Sequence, residues 1–254
     1  MRERSAVIGK ACFITGGNTG IGLATALEFA RAGADVAILS RRTDRNEAAR
    51  AEIEAQGVRC LAITGDVTDE GVIRDAIART SDTFGGLHYA FNNAGADQRP
   101  VRLPELSEAD YALQMDVNVK GVFFGMKYQI PAIIASGGGA ICNNASAAGL
   151  VGTPFQALYA AAKFAVVGMT RSAALEYAKD GVRVNVVCPG ATTGDMFLRY
   201  REQFPEAGEL AASYHPMGRI GDKEEVARAV LFLCRDATFT TGHALPVDGG
   251  LTTA

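Results

Sequence analysis

Apolar, β-branched runs alternate along this chain with stretches of helical periodicity. The runs at 10–15 (KACFIT), 35–39 (DVAIL), 58–64 (VRCLAIT), 87–92 (LHYAFN), 139–144 (GAICNN), 183–188 (RVNVVC) and 243–247 (HALPV) read as strands. Between them apolar residues recur at three- and four-residue steps, which predicts helices near 20–32, 44–55, 69–83, 108–135, 156–179 and 223–234. Ser107 with Asp110 and Asp222 with Glu225 have capping-box spacing at helix starts. Gly33, Gly57 and Gly181 follow helical stretches and suit a left-handed stop. Strands so poor in alternating polar positions are covered on both faces. Joined by helices, they predict an α/β fold: one doubly wound domain over 1–254, with a seven-stranded parallel sheet and right-handed crossovers. No repeat, low-complexity tract or linker divides it.

Composition narrows the function. With 254 residues, 48% of them hydrophobic, the chain can bury a large core. The net charge is −3 and no long basic run appears, so a phosphate-neutralising nucleic-acid surface is not expected. Cys12, Cys60, Cys142, Cys188 and Cys234 lie far apart, without a CxxC or a histidine cluster. They read as buried thiols in a reducing compartment, and no metal set is expected. The start, MRERSAVIGKACFIT, lacks a signal-peptide core, and no segment has the apolar length to span a bilayer. A soluble, cytoplasmic protein is the expectation.

The candidate chemistry clusters at strand ends, where ligands bind in open parallel sheets. The first strand runs into TGGNTGIG, residues 15–22. Gly16, Gly20 and Gly22 allow a turn tight enough for a pyrophosphate to approach the backbone and sit on the following helix's free N–H groups. That makes the domain Rossmann-like. After the fifth strand comes YAAAK, which sets Tyr159 and Lys163 on one face of a helix. A free phenol titrates near ~10. An adjacent ammonium favours the phenolate, so Tyr159 could serve as general acid in reduction and general base in oxidation. Alone, the pair also fits a tyrosine and a snorkelling lysine on an amphipathic helix.

TGxxxGIG followed by YxxxK resembles the short-chain dehydrogenases/reductases, and GVRVNVVCPG and TGHALPVDGG extend the likeness over nearly the whole chain. The resemblance implies a catalytic set of Asn118, Ser146, Tyr159 and Lys163. Ser146 would bind the substrate oxygen. Lys163 would lower the Tyr159 pKa and hold the nicotinamide ribose. Asn118 would kink its helix and free a carbonyl for a proton-relay water. Gly16, Asn18, Thr19, Gly20, Ile21 and Gly22 would line the pyrophosphate. Asp66 and Val67 would flank the adenine, and Asn93, Ala94 and Gly95 would border its ribose, with Asn92 and Asn93 equally suited to steadying the sheet. Pro189 and Gly190 would form the turn beside the nicotinamide. A threonine four positions after that glycine is usual in the family, but Gly194 stands there, so Thr192, Thr193 or backbone groups must take over.

The second strand ends in Ser40, Arg41 and Arg42 where an NAD site usually presents an acid. A guanidinium can grip a 2′-phosphate that a carboxylate would repel. NADP(H) is therefore the expected cofactor, with Arg41 the main contact; NAD(H) stays possible if the arginines are solvated charges or if Asp44 neutralises one. The segment at about 193–217 reads as a substrate lid, with Met196, Phe197, Tyr200, Phe204 and Tyr214 as lining or packing residues. His215 reads as a lid residue rather than a catalyst. Residues 96–106 and 147–156 would wall a pocket for an alcohol or ketone with an apolar body. The two longest helices carry spare apolar surface, and the resemblance implies a homo-oligomer, usually a tetramer. The leading function is an NADP(H)-dependent alcohol dehydrogenase or ketone reductase. The alternatives are a 3-oxoacyl-carrier-protein reductase, with Arg99, Arg102, Arg199 and Arg201 as a basic docking patch, and a cofactor-sensing protein without turnover.

Overall fold

The structure, a computed structural model, describes residues 7–253. The first six residues of the start read above therefore lie outside the described residues, as does the Met196 side chain. Seven parallel strands form one sheet in the order β3-β2-β1-β4-β5-β6-β7. They are β1 (Ala11–Thr15), β2 (Asp35–Ser40), β3 (Cys60–Thr64), β4 (Tyr89–Asn92), β5 (Gly139–Asn144), β6 (Val182–Pro189) and β7 (Ala244–Val247). Helices α1 (Gly20–Arg31), α2 (Thr43–Glu54), α3 (Glu70–Phe84), α4 (Glu108–Met115), α5 (Gly121–Ala135), α6 (Ala157–Tyr177), α7 (Asp195–Gln203), α8 (Pro205–Leu210) and α9 (Lys223–Leu231) connect or follow them.

Period-two alternation divides the core between the two faces. In β1, Phe13 joins the cluster under α3, α5 and α6, while Cys12 and Ile14 join the one under α1 and α9. Chain order reverses between β1 and β4, which opens a crevice at the carboxyl ends of those strands. Thr15 ends β1 paired with Asn92, and both strands point into this crevice. Asn92 is spent inside the sheet: its amide donates to Gln129 Oε1 (2.9 Å) and Asn143 Oδ1 (2.8 Å).

Two helices depart from their expected lengths. The 108–135 helix is interrupted at Asp116–Lys120 by a π-helical turn. Asn118 faces inward there and ties both polar groups of the Ala96 backbone, accepting from its N–H (3.1 Å) and donating to its carbonyl (3.0 Å). The helix widens to place that side chain, as π turns at functional sites do. The last predicted helix ends at Leu231 and passes into a second π turn, Phe232–Asp236. Arg183 draws its carbonyls outward, donating to Leu233 O and Cys234 O (both 2.6 Å). The caps behave as the spacing predicts. Ser107 Oγ accepts from Asp110 N (3.2 Å), Asp110 reaches back to Ser107 N (2.8 Å), and Glu225 reaches back to Asp222 N (2.8 Å). Among the described residues no helix is long and apolar enough to cross a membrane.

Candidate active site

The glycine turn is built from β1, α1 and the end of β4. Thr15 Oγ1 accepts from the N–H groups of Asn93 (2.9 Å) and Ala94 (3.0 Å). Asn93 in turn donates to the carbonyls of Thr15 (3.1 Å) and Gly16 (3.2 Å). Any side chain at Gly22 would collide with the Gly16 carbonyl, so the turn closes only on glycine. Thr19 caps α1 without a side-chain bond, which leaves the first-turn N–H groups of α1 facing the crevice. Ile21 packs on the core below. Asn18 is buried and donates to Asn46 Oδ1 (2.8 Å). Asn46 donates to Ser40 O (2.9 Å) and Ile63 O (3.0 Å), so one amide locks the turn to the ends of β2 and β3.

At the end of β2, Ser40 is buried and its hydroxyl has no partner among the described residues. A buried polar atom left unbonded is unfavourable unless something supplies the bond. Arg41 is exposed, and its guanidinium lies 4.0 Å from Asp66 Oδ2. The acid near Arg41 is thus Asp66 rather than Asp44. Asp66 Oδ1 accepts from the N–H and hydroxyl of Thr68 (both 2.9 Å), a turn-forming role. Val67 is buried beside it. Arg42 begins α2 with its side chain in solvent. An open helix start, a glycine-only turn and an orphaned hydroxyl are what a nucleotide with a phosphorylated or free ribose requires, and these residues fit one.

The second half of the crevice lies at the ends of β4, β5 and β6. Lys163 is buried in α6, and its ammonium donates to Asn144 O (3.0 Å). The same nitrogen lies 5.4 Å from the centroid of the Tyr159 ring. Gly95 separates Lys163 from the π turn: a Cβ there would sit 2.9 Å from Asn118 Oδ1 and 3.6 Å from Lys163 Nζ. Ser146 Oγ accepts from Ala148 N (3.2 Å) and donates to Pro189 O (3.4 Å), and its hydroxyl lies beside the Tyr159 phenol. Gln98 holds the start of α6, accepting from Tyr159 N (2.9 Å) and donating to Phe155 O (3.0 Å). The structure therefore brings Asn118, Ser146, Tyr159 and Lys163 into one group.

The electrostatics of that group differ from the expectation that the ammonium lowers the phenol. Burial pushes Tyr159 up to about 12; the Ser146 hydrogen bond opposes the rise and the Asp97 carboxylate adds to it. Burial also pulls Lys163 down to about 8. The reason is geometric. The ammonium is bonded to a carbonyl rather than to the phenol oxygen, and both charged forms lose their water.

After β6 the chain turns at Pro189 and Gly190, with Gly190 N donating to Val247 O (3.1 Å). Thr192 is buried at an isolated bridge to Gly221, while the Thr193 hydroxyl turns to Asp222 (3.4 Å). Gly194 lies against Gly20, a Cβ on Gly20 being 3.9 Å from its Cα, so the segment that begins α7 passes directly over the glycine turn. Arg45 on α2 and Asp195 on α7 pair across it (3.0 Å). Tyr200 and Phe204 stack at 5.3 Å, Phe197 is half-buried, and Tyr214 faces solvent. Of the four arginines expected as a basic patch, Arg99 is bonded to Asp110 (3.2 Å) and to the Glu105 carbonyl (2.6 Å).

This arrangement has close counterparts. Residues 16–252 match a family model described as Enoyl-(Acyl carrier protein) reductase. The 2,5-dichloro-2,5-cyclohexadiene-1,4-diol dehydrogenase of Sphingobium indicum is 42% identical over 246 residues, covering 96% of this chain and 97% of that protein. The cyclohexanol dehydrogenase of an Acinetobacter species is 40% identical over 244 residues, covering 96% and 95%. The chain belongs to the short-chain dehydrogenase/reductase family. It is an oxidoreductase of the class that acts on CH–OH groups. Among solved short-chain enzymes, ElxO described with NADP bound superposes with a TM-score of 0.88 at 33% identity, covering 96% of this chain and 99% of that one.

Three positions that shape this short-chain site escaped sequence reading. Asn46 and Gln98 work through buried amides; Asn46 sits in a polar helical stretch, and Gln98 was marked only as part of the 96–106 pocket wall. Burial is the main cause of the raised Tyr159 and Tyr200, and the negative charge of Asp97 adds to both. Only its place two residues after NNAG marked it, as part of a pocket wall.

Proposed function

We propose that this short-chain enzyme is NADP(H)-dependent and interconverts a secondary alcohol and a ketone carried on an apolar, ring-sized body. The observation that carries the reading is the convergence of Tyr159, Ser146 and buried Lys163 at the strand ends, beside a glycine turn that only glycine can close. A nicotinamide nucleotide held in this crevice would supply or receive the hydride. The protein's part is to place and move the proton. A phenol held near 12 is protonated at neutral pH, so Tyr159 enters reduction as the proton donor. An alkoxide is a stronger base than a phenolate, so the transfer to a forming alkoxide is downhill. Ser146 donates to the same oxygen as charge develops on it. Lys163 stabilises the phenolate left behind, and the Asn118 turn beside it keeps a path for reprotonation.

The preference for the phosphorylated cofactor rests on Ser40, Arg41 and Arg42, with no acid at the end of β2. Asp66 at 4.0 Å holds Arg41 without fully satisfying its five donors. Gly16, Asn18, Thr19, Gly20, Ile21 and Gly22 take the pyrophosphate. Asp66, Val67, Asn93, Ala94 and Gly95 flank the adenosine, and Pro189, Gly190 and Thr192 flank the nicotinamide. The names of the two relatives, both cyclic-alcohol dehydrogenases, support the substrate class. So do the small buried residues Ala147, Ala148 and Gly149 in the pocket wall. The segment at about 193–217 acts as the lid of this single domain. The α5 and α6 faces expose Phe123, Ile134, Phe164 and Leu175, which supports a homo-oligomer, a tetramer by family likeness.

The test is turnover of cyclohexanol, cyclohexanone and open-chain analogues with NADP(H) and NAD(H), for the wild type and Arg41→Ala. The reading expects turnover favouring NADP(H), and a loss of at least tenfold in that preference on substitution. Turnover of no member of the panel, or an unchanged preference in Arg41→Ala, overturns it.

A further inference from the structure

His215 ends the lid segment and is buried, yet no step above uses it. Its two ring nitrogens face two different parts of the site. Nε2 lies 3.1 Å from the N–H of Ala191, in the turn after β6. Nδ1 lies 2.7 Å from the carbonyl of Ala211, at the start of the lid's last turn. A backbone N–H only donates and a carbonyl only accepts. Nε2 must therefore be bare and Nδ1 must carry the proton, so one neutral tautomer alone satisfies both bonds.

The neighbouring backbone is shaped around this ring. Any side chain at Gly190 would strike His215 Nε2, so glycine is required next to the turn for the imidazole to reach Ala191. Ala191 is gripped on its other side as well, because its carbonyl accepts from Gly221 N (2.9 Å). The same turn carries Pro189, whose carbonyl accepts from Ser146 Oγ. A continuous chain of contacts thus runs from Ala211 through the imidazole to Ala191, and through the turn to the Ser146 hydroxyl.

We propose that His215 is a positioning residue that couples the lid to the nicotinamide turn, with a lid arm at Nδ1 and a turn arm at Nε2. The roles assigned to lid and turn rest on the function proposed above; the two arms themselves do not. The lid arm governs closure over substrate, and the turn arm governs how the cofactor ring and Ser146 are presented.

Two variants separate the arms. In His215→Asn the amide nitrogen replaces Nδ1 and keeps the bond to Ala211, but nothing reaches Ala191. In His215→Gln the side-chain oxygen reaches the place of Nε2 and accepts from Ala191, but the donor to Ala211 is lost. Amide hydrogen exchange at residues 190–193, measured without cofactor, should rise at least tenfold in His215→Asn and stay within about twofold of wild type in His215→Gln. Ring ¹⁵N shifts of the wild type should show a protonated Nδ1 and a bare Nε2. NADPH affinity should then weaken several-fold only in His215→Asn, whereas KM for the ketone should rise several-fold in His215→Gln with NADPH affinity kept. Equal exchange in the two variants, or the opposite tautomer, overturns the proposal. If exchange separates the variants but the wild type binds no nicotinamide nucleotide, the coupling stands and the cofactor reading fails.

Discussion

Lys163→Met replaces a buried ammonium by an apolar chain of similar length, and the structure sets what should follow. Burial holds the lysine at about 8 against an ordinary 10.5. At ~1.4 kcal/mol per pH unit, that difference disfavours the charged form in the folded protein by about 3 kcal/mol at neutral pH. The sign is fixed by proton counts. Between about 8 and 10.5 the unfolded chain holds the lysine proton and the folded chain has lost it, so stability rises with pH across that window. Below about 8 the full penalty stays in place. Tyr159 acts oppositely, since a phenol raised from 10 to about 12 makes the fold lose stability once pH passes 10. The substitution also leaves Asn144 O without its donor, which costs about 1–3 kcal/mol. Lys163→Met should therefore be as stable as wild type at pH 7, or more stable by up to about 2 kcal/mol, while losing turnover. Urea unfolding at pH 7 and 9.5, at one protein concentration, reads the effect. Subtracting the variant from the wild type cancels the other titrating groups, the cysteines included. Wild type should gain about 2 kcal/mol more than the variant between the two pH values. An equal pH dependence in both would refute the assignment of this penalty to Lys163.

Two further substitutions probe the nucleotide half of the crevice. Ser40→Asp places a carboxylate where the unpartnered hydroxyl now lies, and should move the ratio of kcat/KM values at least tenfold toward NADH; an unchanged ratio would remove Ser40 from the cofactor site. Asn46→Ala leaves the Asn18 amide without its acceptor and takes the side-chain donor from the carbonyls of Ser40 and Ile63, so the urea midpoint should fall by the equivalent of about 1–3 kcal/mol at constant m, with weaker NADPH binding. A midpoint and an affinity both at wild-type values would show that the turn does not depend on that amide.

The sheet was legible because its signal is local. Each buried parallel strand is a continuous apolar run, and Gly33, Gly57 and Gly181 mark helix ends where φ is 96°, 87° and 77°. Of the candidate catalytic group, Tyr159 and Lys163 were legible through residue type and spacing, and Ser146 and Asn118 through the family resemblance. What stayed hidden depends on contacts between distant segments. Periodicity continued straight through Asn118, where only the family resemblance implied a kink; the contact that fixes the widened turn, with the Ala96 backbone 22 residues away, left no local signal. The cap at Asp222 was visible, but the π turn at the end of the same region depends on Arg183 from β6. The i, i+4 spacing placed Lys163 beside Tyr159, yet it carried no information on burial. Burial, rather than proximity, sets both groups' proton affinities.

Removal of the Tyr159 hydroxyl isolates the proton-transfer step. Tyr159→Phe keeps the ring and its packing and deletes only the group assigned to carry the proton. Turnover of cyclohexanone should be followed at the NADPH absorbance, with NADPH affinity measured by fluorescence on the same samples. A fall in kcat of about 10²–10⁴, with NADPH affinity within about twofold of wild type, is the result expected when a general acid is lost. Turnover within a few-fold of wild type would contradict the account, because hydride would then cross without the phenol's proton.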